Sequence, residues 1–369
     1  MGEPREAFVG IDVAKLRNAV AVADTGRDGE VRFFGEVDAS PESMRRLAAK
    51  LAAKYDRLTF CYEAGPTGYG LHRLLTELGH ACMVVAPSLI PKKPSDRVKT
   101  NRRDAITLAR LLRAGELTAV WVPDTAHEAM RNLVRARTAA VKDVGLKKHQ
   151  VSAFLLRHSR IFPRKKNWGA RYRCWLETQS FEHVADQIVL QESIEGVRLA
   201  EERLTRIERA IEEFLPTWSL APIVEALQAL RGVDLVTAVT FVVEVGDIRR
   251  FENPRRLMGY LGLVPGERST GETVRRGSIT KMGNARVRHL LVESAWTYRH
   301  PPRVGAAKLA KLERVSPRVR EIAWKAQSRL TARYRALTAR GKKTTVACTA
   351  IARELAAFMW AVAREVQPA

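Results

Sequence analysis

A carboxylate set inside an apolar run is the first chemically loaded feature of this chain, in Phe8-Val9-Gly10-Ile11-Asp12-Val13. Such a run reads as a strand covered on both faces, where an isolated carboxylate costs on the order of several kcal/mol, so Asp12 needs a partner. A salt bridge or a turn cap would serve, and so would a hard divalent cation, which carboxylate oxygens hold. Other groups can share that cation. Glu63 closes a second apolar run that begins at Arg57, and Asn101 and Asp104 stand three apart in Thr100-Asn101-Arg102-Arg103-Asp104-Ala105, hence on one face of a helix. Carboxylates with an amide oxygen can hold two Mg²⁺ roughly 4 Å apart, the spacing of phosphodiester chemistry. Taken singly, Asn101 could equally cap the helix and Asp104 complement its positive end.

A second stretch carries hydroxyls and cations. It runs from Tyr260-Leu261-Gly262-Leu263-Val264-Pro265-Gly266-Glu267-Arg268-Ser269-Thr270-Gly271 through Arg275-Arg276-Gly277-Ser278-Ile279-Thr280-Lys281, and then into a helix from Ala285 carrying Arg286, Arg288 and His289. A serine hydroxyl is a weak nucleophile unless a base, a metal or a positive field activates it. Arg268, Arg275, Arg276 and Lys281 can stabilise the charge on a phosphate under attack. By its residues alone the stretch is a flexible anion-binding loop.

The elements that would position the acidic groups follow from periodicity. Residues 8–13, 17–23 and 31–37 alternate or run apolar as three strands. A helix begins at Ser40-Pro41, residues 57–62 form a fourth strand, 67–78 a helix, 82–86 a fifth strand, and the segment from 98 opens another helix. Three strands, helix, strand, helix, strand, helix is the order of the RNase H-like fold, in which the first and fourth strands are neighbours and would aim Asp12 and Glu63 into one cleft.

At 369 residues two domains and a connector are expected, with boundaries near 120 and 220, and the net charge of +23 asks for a polyanionic partner. From Arg131 to Arg173 there are thirteen Lys or Arg, Lys165 and Lys166 among them, against one acid, Asp143. Trp168, Tyr172 and Trp175 interleave, which suits phosphate contact with base stacking, although such aromatics also serve as core. Apolar faces repeat over 127–156 and 192–215 as in a helical arm or coiled coil, and 223–245 resembles a helix-hairpin-helix. The last third is mostly helical and again basic, with thirteen Lys or Arg against Glu313 and Glu321 between Pro301 and Lys343. The architecture expected is therefore α/β at the N-terminus and mainly α beyond. With no apolar run near the roughly 20 residues that span a bilayer, and no signal-peptide core, a cytoplasmic protein is expected. Cys61, Cys82, Cys174 and Cys348 are scattered, which argues against a zinc site or disulfides.

FVGIDVAK, CYEAGPTGYGLHRLL and RVKTNRRDAITLARLLRAGEL together resemble the RuvC-like domain of the DEDD-type insertion-sequence transposases, the IS110 family. GYLGLVPGERSTGETVRRGSITKMGNARVRHLL is similar to the C-terminal transposase domain of the same family. The resemblance implies metal ligands at Asp12, Glu63, Asn101 and Asp104. Asn101 stands where the family has Asp, which keeps an oxygen donor and removes one negative charge. It also implies a serine nucleophile after the G-L-x-P segment. The position matches Ser269, with Thr270 in the neighbouring slot and Ser278 a third choice. Further implications are Mg²⁺ as cofactor, donor and target DNA as substrates, and a non-coding bridge RNA that pairs with both. The expected assembly is a homodimer or homotetramer in which the metal domain of one subunit meets the serine domain of another. The alternative is a RuvC-like nuclease that cuts branched DNA with water as nucleophile, and a protein that binds nucleic acid without catalysis is a further one.

Overall fold

In the computed structural model, residues 5–91, 100–164, 168–270 and 273–366 are described, and they form two compact units, Met1–Val122 and Pro123–Ala369. The first unit contains β1 (Glu6–Asp12), β2 (Arg17–Asp24), β3 (Val31–Asp38), α1 (Pro41–Ala52), β4 (Arg57–Glu63), α2 (Gly70–Glu77), β5 (Ala81–Val85) and α3 (Asn101–Arg113). Its five strands lie in the order β3-β2-β1-β4-β5, with β2 antiparallel to both neighbours and β1, β4 and β5 parallel. This is the neighbour relation that the element order predicts.

Side-chain alternation sorts the two faces of that sheet. Val9, Ile11, Val20, Val22, Leu58, Phe60 and Tyr62 pack with Met44, Leu47 and Leu51 of α1 and Leu75 of α2. The intervening residues face α3, where Ala19, Ala21 and Ala23 of β2 meet Ala105 and Ala109 of the helix. Small residues on both sides let the helix backbone approach closely. At Gly10 the approach is at its limit, because a Cβ there would lie 2.3 Å from the Ala109 nitrogen and 2.4 Å from the Ala105 oxygen.

The second unit contains α4 (Thr125–Arg157), α5 (Ala170–Glu177), α6 (Val184–Phe214), α7 (Ala221–Leu227), α8 (Leu235–Val245), α9 (Pro254–Tyr260), β6 (Pro265–Thr270), β7 (Thr273–Ile279), α10 (Ala285–Ala295), α11 (Ala306–Glu313), α12 (Pro317–Ala339) and α13 (Thr344–Glu365). Helices α4 and α6 run antiparallel along each other, tied by Arg137–Glu208 at 2.8 Å and Lys148–Glu201 at 2.7 Å. Near their far end Tyr172 and Leu176 are buried with Val151, Phe154 and Leu155, and Trp168 and Trp175 pack against them. Tyr172 is core, and Trp168 and Trp175 are half-buried against it. A helical hairpin needs apolar filling at its tip, and these rings supply it.

At the base of α4, Met130 and Val134 share one core with Trp218, Phe241, Leu291, Ile351 and Met359. Helix α13 is long and apolar enough in composition to cross a bilayer, contrary to the expectation that no such run exists. Its Cys348, Ile351, Leu355 and Met359 are fully buried in that core. The stretch read as a loop at 265–279 is a β-hairpin, β6 with β7. Both its faces are largely exposed, so no apolar alternation marks it in the sequence.

Candidate active site

Asp12 ends β1 and Glu63 ends β4, and the parallel register, with Ile11 opposite Tyr62, puts both at the carboxyl edge of neighbouring strands. Ile11 and Tyr62 fill the α1–α2 face, so alternation turns Asp12 and Glu63 to the other face, beneath α3. Asp104 lies in the first turn of that helix, next to Ala105 where the helix presses on Gly10. The helix is capped by Thr100, whose hydroxyl accepts the Arg103 N–H at 3.2 Å, and not by Asn101, which is exposed at the first helical position. Asp12, Glu63 and Asp104 are each half-buried. Just beyond Asp12 the chain turn is held by buried Asn18, whose Oδ1 accepts from the Ala14 N–H at 3.2 Å. Asn18 is a positioning residue that the strand pattern alone does not reveal.

The donor set is three carboxylates and an amide, all hard oxygens, and fits a hard divalent ion. Cys61, on the same sheet face, is no competitor, because burial pushes its thiol well up and it stays protonated with Sγ directed at the Leu108 carbonyl at 3.6 Å. Among the described residues, no three His, Cys, Asp or Glu side chains are grouped closely enough to hold an ion between them. The fold thus brings the acidic residues to one end and one face of the sheet, with the side chains not gathered into a closed cage.

In the second unit the hairpin splits the expected cations. Cross-strand pairing sets Glu267 opposite Arg276 and Ser269 opposite Val274, on one face, and Arg268 opposite Arg275 on the other. Ser269 Oγ donates to Glu267 Oε1 at 2.8 Å, and Arg276 Nε donates to Glu267 Oε2 at 3.3 Å. Those two hydrogen bonds, Ser269 first, hold the Glu267 carboxyl below its ordinary value. Thr270 faces away with Arg268, and Ser278 lies beyond the Glu267–Arg276 pair.

Of the remaining expected cations, Arg286 and Arg288 are engaged in structure. Arg288 donates to the Leu261 and Met282 carbonyls at 2.9 and 3.0 Å, clamping the turn that carries Lys281. That turn also presses on Gly262, where φ is +64° and a Cβ would meet the Met282 oxygen at 2.1 Å. Arg286 reaches Glu244 at 3.3 Å. Glu244, its side chain 3% exposed near the end of α8, also accepts from Arg135 at 3.0 and 3.2 Å and from Asn284 Nδ2 at 2.8 Å. Burial pushes its carboxyl up, and the bonds from Arg135 and Asn284 outweigh it, so the net direction is down. Lys165 and Lys166 lie outside the described residues.

Comparison with known proteins supplies the family. Residues 9–160 match the DEDD transposase domain of IS110 elements, and residues 224–309 match the transposase IS116/IS110/IS902 family. The putative transposase y4qE of Sinorhizobium fredii (strain NBRC 101917 / NGR234) is 67% identical over 363 residues, 98% of this chain and 90% of the relative. This chain belongs to the IS110 family of transposases. The transposase for insertion sequence element IS1533 of Leptospira borgpetersenii is 30% identical over 92% of this chain and 99% of the relative. A transposase is an enzyme that cuts and rejoins DNA. The DEDD domain implies an RNase H-like fold, which the sheet order of this transposase matches, and a domain of this type uses a divalent metal.

Proposed function

We propose that this transposase mobilises its insertion sequence through a covalent serine–DNA link. Ser269 is the nucleophile, Asp12, Glu63 and Asp104 with the Asn101 amide oxygen hold Mg²⁺, and an element-encoded bridge RNA selects the DNA sites. The observation that carries this is the convergence of Asp12, Glu63 and the first turn of α3 on one face and one end of the sheet. A second observation, within the other unit, supports it as well: the Ser269 hydroxyl is bonded to a carboxylate that a guanidinium holds.

When bound, the metal polarises the phosphate and stabilises the leaving oxygen. Ser269 Oγ bonds to phosphorus as the bond from phosphorus to the leaving sugar oxygen breaks, and that oxygen takes a proton from solvent. The serine proton passes to Glu267, its acceptor at 2.8 Å. Arg276 shares this face, and moving from Glu267 to the incoming phosphate it neutralises charge there and lets the Glu267 carboxyl rise, which makes it a better base. Arg268 and Arg275, directly opposite each other, repel unless a polyanion lies along that face, and a DNA or RNA backbone supplies one. Metal domain and serine domain act on DNA from different subunits of an oligomer.

The test is a covalent one. Purified transposase is incubated with RNA transcribed from beside its gene, with plasmids carrying the element ends and target, and with Mg²⁺, and denaturing gels read the protein–DNA adduct. Ser269→Ala should abolish adduct and strand exchange with the melting temperature unchanged, Asp12→Ala should abolish both, and Thr270→Ala should keep them. Undiminished cutting by Ser269→Ala would instead mark a metal nuclease that uses water. An adduct kept in Ser269→Ala and lost in Thr270→Ala would move the nucleophile by one residue.

A further inference from the structure

The α7–α8 turn, the segment leading into α11 and one face of α12 enclose a cavity of about 380 Å³. Four of its lining residues are cations, Arg231, Arg303, Lys308 and Arg320, and among the described residues no carboxylate lines it. Among the described residues none of the four forms an ion pair, whereas Arg318, Arg329 and Arg333 on the same helix α12 all have glutamate partners.

Three of the four, Arg231, Lys308 and Arg320, are held by neutral groups. Lys308 Nζ donates to the carbonyls of Gln228, Leu230 and Val233 at 2.5, 2.8 and 3.1 Å, knitting the α7–α8 turn. Arg231 donates to the Pro301 carbonyl at 2.7 Å and to Gln327 Oε1 at 3.4 Å. Arg320 donates to the Val315 carbonyl at 3.2 Å. Burial, with Lys311 nearby and Asp234 opposing, pushes the Lys308 amine down to about 8. Arg231 is likewise lowered, by burial and by Arg303 beside it, with Tyr298 opposing. Trp324 completes the lining and leaves 53% of its surface exposed, one helical turn from Arg320. The ring lies open at the cavity, outside the buried face of α12 that Val319, Ala326 and Leu330 form.

We infer that this cavity is a binding site for one unpaired nucleotide of a nucleic-acid strand, its phosphate on Arg231, Arg303 and Arg320 and its base stacked on Trp324. Fixed cations without counter-charges select an anion, and an open indole beside them selects one that carries a flat ring. The size agrees, at the small end of the roughly 300–1,000 Å³ of ligand pockets and too narrow for a duplex. The inference rests on the reading of this transposase as a protein that acts on DNA with a bridge RNA, and it does not depend on Ser269.

Full-length transposase is titrated with fluorescent eight-nucleotide single strands, RNA and DNA of one sequence, with a blunt DNA duplex, and with adenosine monophosphate and inorganic phosphate as competitors. Trp324→Ala should weaken single-strand binding about tenfold and leave duplex binding within twofold, and Trp324→Phe should restore most of the loss. Arg303→Ala should lower the salt dependence of single-strand binding by about one ion. Adenosine monophosphate should compete better than phosphate. Preference between the RNA and DNA strands identifies the source of the nucleotide. Single-strand binding unchanged in Trp324→Ala, equal loss on duplex, or phosphate competing as well as the nucleotide each overturns the inference. Ser269→Ala should bind all these probes normally, so failure of the pocket and failure of the serine chemistry are separable.

Discussion

At the residue scale the second unit hangs on one carboxylate. Glu244 sits in Phe241-Val242-Val243-Glu244-Val245, the same signal of a carboxylate in an apolar run that singles out Asp12. Its partners stand 109, 40 and 42 positions away at Arg135, Asn284 and Arg286, so the sequence shows the need for a partner and not its identity. Asn284 serves twice, since its Oδ1 caps α10 at the Arg286 and Val287 N–H groups and its Nδ2 holds Glu244. Asn284→Ala should cost about 3 kcal/mol, the sum of a lost cap and a lost bond to a buried charge, read by urea unfolding. The sign of the pH dependence follows from the lowered Glu244 carboxyl. Its stabilisation is fully present above the ordinary glutamate value of 4.5 and is lost as pH falls through the lower folded value. Glu244→Gln should therefore flatten the acid limb of the melting curve of this unit while lowering stability at neutral pH.

At the scale of elements, the β1–β2 sheet face and α3 form a contact of small residues whose closeness aims the acidic cluster. Alternating Ala and Val in Arg17–Asp24 make β2 legible as a strand, and its two faces as unequal. That Ala19, Ala21 and Ala23 seat a helix lying about 80 residues later is a matter of packing. Gly10→Ala should force α3 off the sheet, because backbone atoms of the helix stand where the Cβ would go and cannot yield as a side-chain tip can. About 3 kcal/mol of destabilisation is expected, with faster proteolysis within 100–113 and loss of metal-dependent DNA cutting. A Gly10→Ala protein that melts as the wild type does would show that the helix is not pressed there. The hairpin of β6 and β7 is the opposite case, where exposed polar residues on both faces left no period to read and only pairing separates Ser269, Glu267 and Arg276 from Arg268 and Arg275.

For the whole molecule, the net charge of +23 is the dominant property. Association with DNA and RNA should weaken steeply with salt, as phosphate contacts release counterions. Transposase purified at low salt from cells carrying its flanking DNA should retain one abundant RNA transcribed from beside its gene, identified by extraction and sequencing. Heterogeneous RNA, or none, would remove the guide from the proposed function and leave Ser269 and the acidic cluster as a protein-only recombinase.

What the sequence determined by itself is whatever rests on short-range periodicity and residue chemistry. The order of strands and helices in residues 6–113, the carboxylates in apolar runs, the excess of basic charge, and motifs dense enough to show the family all belong there. Tertiary structure alone decided which distant groups meet. It buried Tyr172 and left Trp324 open, although both lie in helices of mixed pattern, because the tip of the α4–α6 hairpin had to be filled and the rim of the cavity did not. It gave Arg286 to Glu244 and, among the described residues, left Arg303 in no ion pair, though neither neighbourhood is written locally. A helix or strand is specified by neighbours a few residues away. The partner of a charge is specified by the packing of whole elements, which brings together positions as distant as 135 and 244.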